Sequence, residues 1–207
     1  MKKTLLGSLI LLAFAGNVQA APNADTSGKV TFFGKVVENT CKVKAGNKNM
    51  SVVLNNVGKA HLSNVGNIAM PTPFTITLTD CTVANGATDK KAKKVGVYFY
   101  SWENADKDNA YTLKNIHENN GDKASNVNIQ LFKENGTDSI EVVGKETKDF
   151  ISQNGQNTIT KNHISGATEL NGKTGDIDLH YIAQYYATGQ ATPGKVKSSV
   201  DFQIAYE

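Results

Sequence analysis

Arginine is missing from all 207 residues, so the 22 basic side chains are all lysine. Without the planar guanidinium fork there is no bidentate reader of phosphates or guanine edges, and a net charge of +3 makes no strong field. No nucleic-acid partner is expected. Cysteine is scarce as well, with only Cys41 and Cys81 and no Cys-x-x-Cys spacing, which excludes a redox dithiol motif and a cysteine-rich zinc site. The four histidines, His61, His117, His163 and His180, are scattered without metal-ligand spacing and are expected to be structural. There is no Gly-x-Ser-x-Gly elbow and no phosphate-binding glycine loop, and the carboxylates are dispersed. Neither catalysis nor a cofactor or metal is expected.

What is present begins with an export signal. Lys2 and Lys3 precede an apolar run at 5–15, too short to span a bilayer, and Val18-Gln19-Ala20 forms a small-residue cleavage box. The expected domains are therefore a signal peptide at 1–20, an N-terminal segment at 21–37 and one folded domain at 38–207. Cleavage before Ala21 leaves 187 residues with 20 lysines against 19 acids, a net charge of +1. No cysteine follows the cleavage box to carry a lipid. In the oxidising compartment that a signal implies, Cys41 and Cys81 are expected to form a disulfide, worth about 3–4 kcal/mol on the chain-entropy account.

The remaining pattern is that of strands. Residues 28–37, GKVTFFGKVV, place Val30, Phe32, Gly34 and Val36 on one face and Phe33 and Val37 on the other, so both faces ask for cover. At the far end, Val200, Phe202, Ile204 and Tyr206 alternate with polar or small residues within 196–207. That last strand has an edge which no later segment can pair. Between them, strands are predicted over 50–55, 74–79, 95–102, 126–132, 139–143 and 177–186. Asn-Gly pairs begin at Asn85, Asn120, Asn135, Asn154 and Asn171, and only the Asn135 pair lies directly between two strands, so a hairpin is predicted there alone. Alternation puts Tyr98, Tyr100 and Trp102 on one face, where core packing is expected in preference to a sugar-stacking platform. Lys90, Lys91, Lys93 and Lys94 are expected in a solvated loop. Two long polar connections, 103–125 and 144–176, suggest exposed and variable surface. The fold class is all-β, a sandwich.

Four stretches, GKVTFFGKVVENTC, PFTITLTDC, ASNVNIQLF and IAQYYATGQATPGKVKSSVDFQIAYE, make the chain similar to the major structural subunits of chaperone–usher pili of the type 1 and P pilus kind, and within them to the haemagglutinating pili of Haemophilus. The resemblance covers essentially the whole mature chain, and its specific marks are the alternating last strand, the penultimate Tyr206 and Gly194 fourteenth from the end. It implies an incomplete immunoglobulin-like β-sandwich that lacks its last strand. In that arrangement Val30, Phe32, Gly34 and Val36 form a donor strand for a neighbour's groove, with Gly34 where two backbones approach closely. The C-terminal strand, marked by Gly194, Val200, Phe202, Ile204 and Tyr206, is read by a periplasmic pilus chaperone and an outer-membrane usher. Identical pilin subunits then join head to tail into an extracellular filament, together with minor tip pilins and an adhesin.

The function implied is a structural subunit that supports adhesion to host cells. A minor or adapter pilin shares the same pattern. A direct glycan-binding adhesin would carry an extra lectin domain in front and no donor segment, and this chain has the donor segment with no room for the lectin.

Overall fold

The computed structural model describes residues 30–38, 41–81, 92–150, 163–170, 173 and 175–207. The export signal, residues 21–29 of the N-terminal segment, the Asn-Gly pairs at Asn85, Asn154 and Asn171, and Lys90 and Lys91 lie outside the described residues. Two units are distinguished, one ending at Gly34 and one running over Lys35–Glu207.

Among the described residues, the second unit has ten strands in two antiparallel sheets. The larger sheet runs in the order β1 (Lys42–Val43), β2 (Ile68–Thr79), β9 (Ile177–Ala187), β6 (Val127–Lys133), β5 (Thr112–Leu113), β4 (Ala105–Asp106), with β7 (Ser139–Ile140) paired to β6. The smaller sheet is β10 (Asp201–Tyr206), β3 (Lys94–Tyr100), β8 (Ile164–Glu169). Alternation along each strand sends one face inward. Ile76 and Leu78 from β2, Val95, Val97 and Phe99 from β3, and Leu179 and Tyr181 from β9 meet in one core between the sheets. Phe99 and Tyr181 pack edge to face at 5.1 Å, and the Tyr181 hydroxyl donates to the Ser165 carbonyl at 3.0 Å. Burial pushes the Tyr181 phenol well above its ordinary pKa.

Cys41 and Cys81 are joined as a disulfide, which ties the chain just before β1 to the end of β2. The Asn135 hairpin is present between β6 and β7, with the Asn135 side chain accepting from the Thr137 and Asp138 amides and Gly136 at φ +69°.

Several strand boundaries differ from expectation for physical reasons. β2 starts six residues before Phe74 because Met70, at φ +57°, and Pro71 sit at a register shift between Ala69 and Thr72, where the ladder skips the missing proline N–H. β8 lies inside the polar connection 144–176. Its Gly166, at φ +67°, sits where a Cβ would come within 2.7 Å of the Tyr181 hydroxyl. That strand lacks clean alternation and gave no sequence signal. The connection 103–125 likewise contains the small β4–β5 hairpin. Residues 50–55 form no ladder, although Met50, Val52 and Leu54 are half-buried while Ser51, Val53 and Asn55 are exposed. The alternation was real, but no strand pairs with these residues among the described residues. Tyr98, Tyr100 and Trp102 do share a face, but it is the outer one. Val95, Val97 and Phe99 fill the core, and Trp102 is 55 % exposed. Lys94 opens β3 and pairs with Glu169 at 3.7 Å, so the lysine cluster ends in a strand and not wholly in a loop.

Candidate functional site

A long groove of about 1170 Å³ runs along the open side of the sandwich. Its floor is the core itself: Phe74, Ile76, Phe99, Leu113, Ile129 and Leu131. One rim is the N-terminal side, with Val43 of β1 and then residues 48–54. The other is the C-terminal side, residues 196–202, leading into β10. Both rims belong to sheet edges, because β1 ends the larger sheet and β10 ends the smaller one.

The C-terminal rim has a defined polarity. Glu207 exchanges backbone bonds with Lys94 in both directions at 3.1 Å, so alternation turns the backbone groups of Ala205, Gln203 and Asp201 toward β3. The intervening Phe202, Ile204 and Tyr206 turn theirs to the open edge. Side chains of Val200, Phe202, Ile204 and Tyr206 lean on the core as half-buried apolar groups.

At one end the Cys41 N–H donates to the Tyr206 hydroxyl at 2.7 Å, which links the two rims beside the disulfide. At the other end Gly194 passes against the backbone of Lys123 and Ala124, and a Cβ there would lie 2.4 Å from the Ala124 nitrogen. Gly194 thus has a packing reason independent of any recognition by another protein: only a residue without a side chain lets the two backbones meet. Tyr185 forms part of the groove wall, and burial raises its phenol pKa.

The N-terminal segment is different in kind. Residues 30–37 form no strand or helix, and Val30, Phe32 and Val36 are 76 %, 88 % and 96 % exposed. A Cβ on Gly34 would meet nothing within 4 Å. Four apolar side chains in eight residues, Phe33 included, stand in water, an arrangement that a stable soluble surface avoids. At Val37 the chain becomes half-buried and packs on the core.

A polar hollow of about 190 Å³ by Trp102 holds Glu103, Asp108, Lys114, Lys145 and Glu146. Its charges neutralise one another: Lys145 meets Glu103 at 2.9 Å and Lys107 meets Glu146 at 3.4 Å. The hydrogen bond with Lys145 lowers the Glu103 pKa and raises that of Lys145. No group of metal-ligating side chains occurs among the described residues. His163 bonds Asp149 at 2.8 Å and His180 meets Thr75 at 2.9 Å, so these two act structurally.

A fimbrial protein family profile matches residues 30–207, which is the whole folded unit with the exposed segment before it. The chain belongs to the fimbrial protein family. It is 69 % identical to a major fimbrial subunit of Haemophilus influenzae over 100 % of both chains, and 35 % identical to the F17 fimbrial protein of Escherichia coli over 93 % of this chain and 96 % of that one. A subunit from a structure of a chaperone–usher pilus, concerned with how its rod uncoils, shares the fold with a TM-score of 0.55 at 20 % identity, covering 91 % of this chain and 100 % of the other. As a fimbrial protein the chain is a structural pilin, a building block of a filament outside the cell.

The alternating strand expected within 196–207 is present as β10, and residues 196–202 line the groove. The sequence pattern missed the floor residues Phe99, which alternates with a row of larger aromatics, and Leu113, which lies in a two-residue strand inside a polar connection.

Proposed function

We propose that this pilin polymerises by strand donation: residues 21–37 of one copy lie in the groove of the next and supply the strand that completes its sandwich. The observation that carries this reading is an apolar groove between two unpaired sheet edges, in a chain that also displays an exposed apolar row at Val30, Phe32 and Val36. An added strand gains main-chain bonds along the rim, while alternate side chains reach the floor. Burying three such side chains favours insertion by about 1.5–3 kcal/mol each, before the cost of ordering the segment. Gly34, with no side chain, would let the donor backbone sit close to the groove. The contact is head to tail and does not close on itself, so it builds a filament.

Before assembly the same groove needs a temporary strand. A periplasmic chaperone supplying one, and an outer-membrane usher exchanging it for the next subunit, are the partners this geometry calls for, with minor tip pilins and an adhesin at the end of the filament. Adhesion to host cells is then a property of the assembled fibre.

The test is polymerisation of the full chain. Native protein should form a ladder of multimers that survives unheated detergent gels, and Phe32→Asp should remain monomeric because a carboxylate cannot enter the apolar floor. A Phe32→Asp chain that polymerises as the native one does would remove the mechanism.

A further inference from the structure

Residues 196–200 of the C-terminal rim pair with no strand, yet they continue the line of β10. What holds them is a loop. On the inner side, the Lys195 N–H donates to the Asp122 carbonyl at 2.6 Å, the Lys195 carbonyl accepts from the Ala124 N–H at 3.0 Å, and the Lys197 carbonyl accepts from the Ile116 N–H at 2.7 Å. One side chain adds four more bonds. Asn115 Nδ2 donates to the Lys195 carbonyl at 3.0 Å and the Ala124 carbonyl at 2.9 Å. Its Oδ1 accepts from the Lys197 N–H and the His117 N–H, each at 3.1 Å.

These four bonds use both donors and both lone pairs of the amide, and the residue is buried. A flipped amide would set its NH₂ against two N–H groups and its oxygen against two carbonyls, so only one orientation works. The amide bonds the carbonyl of residue 195 and the N–H of residue 197, the two groups that flank Val196. It takes the place that a neighbouring strand's peptide group would occupy.

Alternation then sends the N–H and C=O of Val196 and Ser198 to the opposite side, toward the groove. Neither residue's backbone has a hydrogen-bond partner among the described residues, while the Ser198 hydroxyl is fixed on the Lys114 carbonyl at 2.8 Å. Parity agrees with β10, where Phe202 and Ile204 present the same edge.

We propose that Asn115 is a positioning residue for strand addition: it holds residues 195–197 so that Val196 and Ser198 extend the acceptor edge beyond β10 toward Gly194. This rests on the reading of the groove as a strand acceptor. The incoming strand gains two more residues of backbone pairing, and its release slows accordingly.

The test takes as its native background the full chain carrying Phe32→Asp, whose groove no neighbour fills, and adds a fluorescent peptide spanning residues 21–37. Asn115→Ala is compared with Asn128→Ala, which removes another buried amide bonded to Asp106 and Thr112 at 2.9 and 2.8 Å but outside the groove lining. Both substitutions should lower the melting temperature, and only Asn115→Ala should speed peptide release, by about tenfold for the loss of one to two rim bonds. Should Asn115→Ala fail to fold, hydrogen exchange on the Phe32→Asp background decides. The Lys197 amide is expected to be protected throughout, and the Val196 and Ser198 amides only once the peptide is bound. Equal acceleration by both variants, or Val196 and Ser198 amides indifferent to bound peptide, would overturn the role of Asn115 while leaving strand addition intact. A background chain that ignores the peptide would instead sink strand addition and this proposal with it.

Discussion

The two rims of the groove are made differently. The C-terminal rim is held along its length, first by the Asn115 loop at Lys195 and Lys197 and then by β3 from Asp201 onward. On the N-terminal rim, only Lys42–Val43 is in a ladder. Beyond it lie a 3-10 turn at Ala45–Asn47 and residues 50–54 without strand pairing, with Val53 85 % exposed. A rim with a fixed row of backbone groups is a template. The N-terminal rim is held instead by single bonds, Lys44 N–H to the Thr77 carbonyl and Thr77 N–H to Asn47 Oδ1, and by Met50 and Leu54 packed on the core. Under the proposed strand addition, the C-terminal side would supply most of the main-chain pairing.

The comparison can be broken at its roots. Replacing Cys41 and Cys81 together with serine should cost the domain about 3–4 kcal/mol in denaturant unfolding, through loop-closure entropy and the freeing of the N-terminal rim. Gly194→Val should be nearly as damaging, about 3 kcal/mol, since its side chain meets backbone that cannot move aside. This loss belongs to the other rim. Tyr206→Phe removes the acceptor of the Cys41 N–H and should cost about 1 kcal/mol, read as a shift of the unfolding midpoint.

Finer measurements sharpen it. Tyr185 lines the groove, and burial raises its phenol pKa above the ordinary 10.0. A raised acid favours folding while neutral, so its contribution is intact below pH 10 and is lost as pH rises through the folded pKa. Absorbance titration should show this phenol ionising at higher pH when a donor peptide fills the groove, and an unchanged titration would place the peptide elsewhere. Smallest of all, Val53→Thr should leave stability within about 0.5 kcal/mol, because that side chain already stands in water.

Strand identity was largely legible because apolar alternation survives in the sequence of β3, β9 and β10, and also in β6, where Val127, Ile129 and Leu131 alternate with the buried polar Asn128 and Gln130. Residues 50–54 show the limit. Their period of two is the signature of a strand, but pairing is a property of neighbours, and a sequence does not state which neighbour is missing. β8 was invisible because its one buried residue is the polar Ser165, beside a left-handed Gly166, while Ala167 is exposed. The outer aromatic row was misread because Tyr98 and Tyr100 are larger than Val95 and Val97, and size suggested the core where parity with Phe99 decided otherwise. Asn115 acts through four bonds to residues up to 82 positions away, and no local pattern encodes that.

The most direct measurement follows thermal unfolding of a chain beginning at Glu38, with its disulfide formed, with and without a peptide spanning residues 21–37. Because a ligand of the folded form alone raises apparent stability, and because exchange is slow, scan rate must be varied. The account predicts a steep rise in melting temperature with the native peptide and none with a Gly34→Leu peptide. A domain that is already stable without the segment and unchanged by adding it would contradict strand donation.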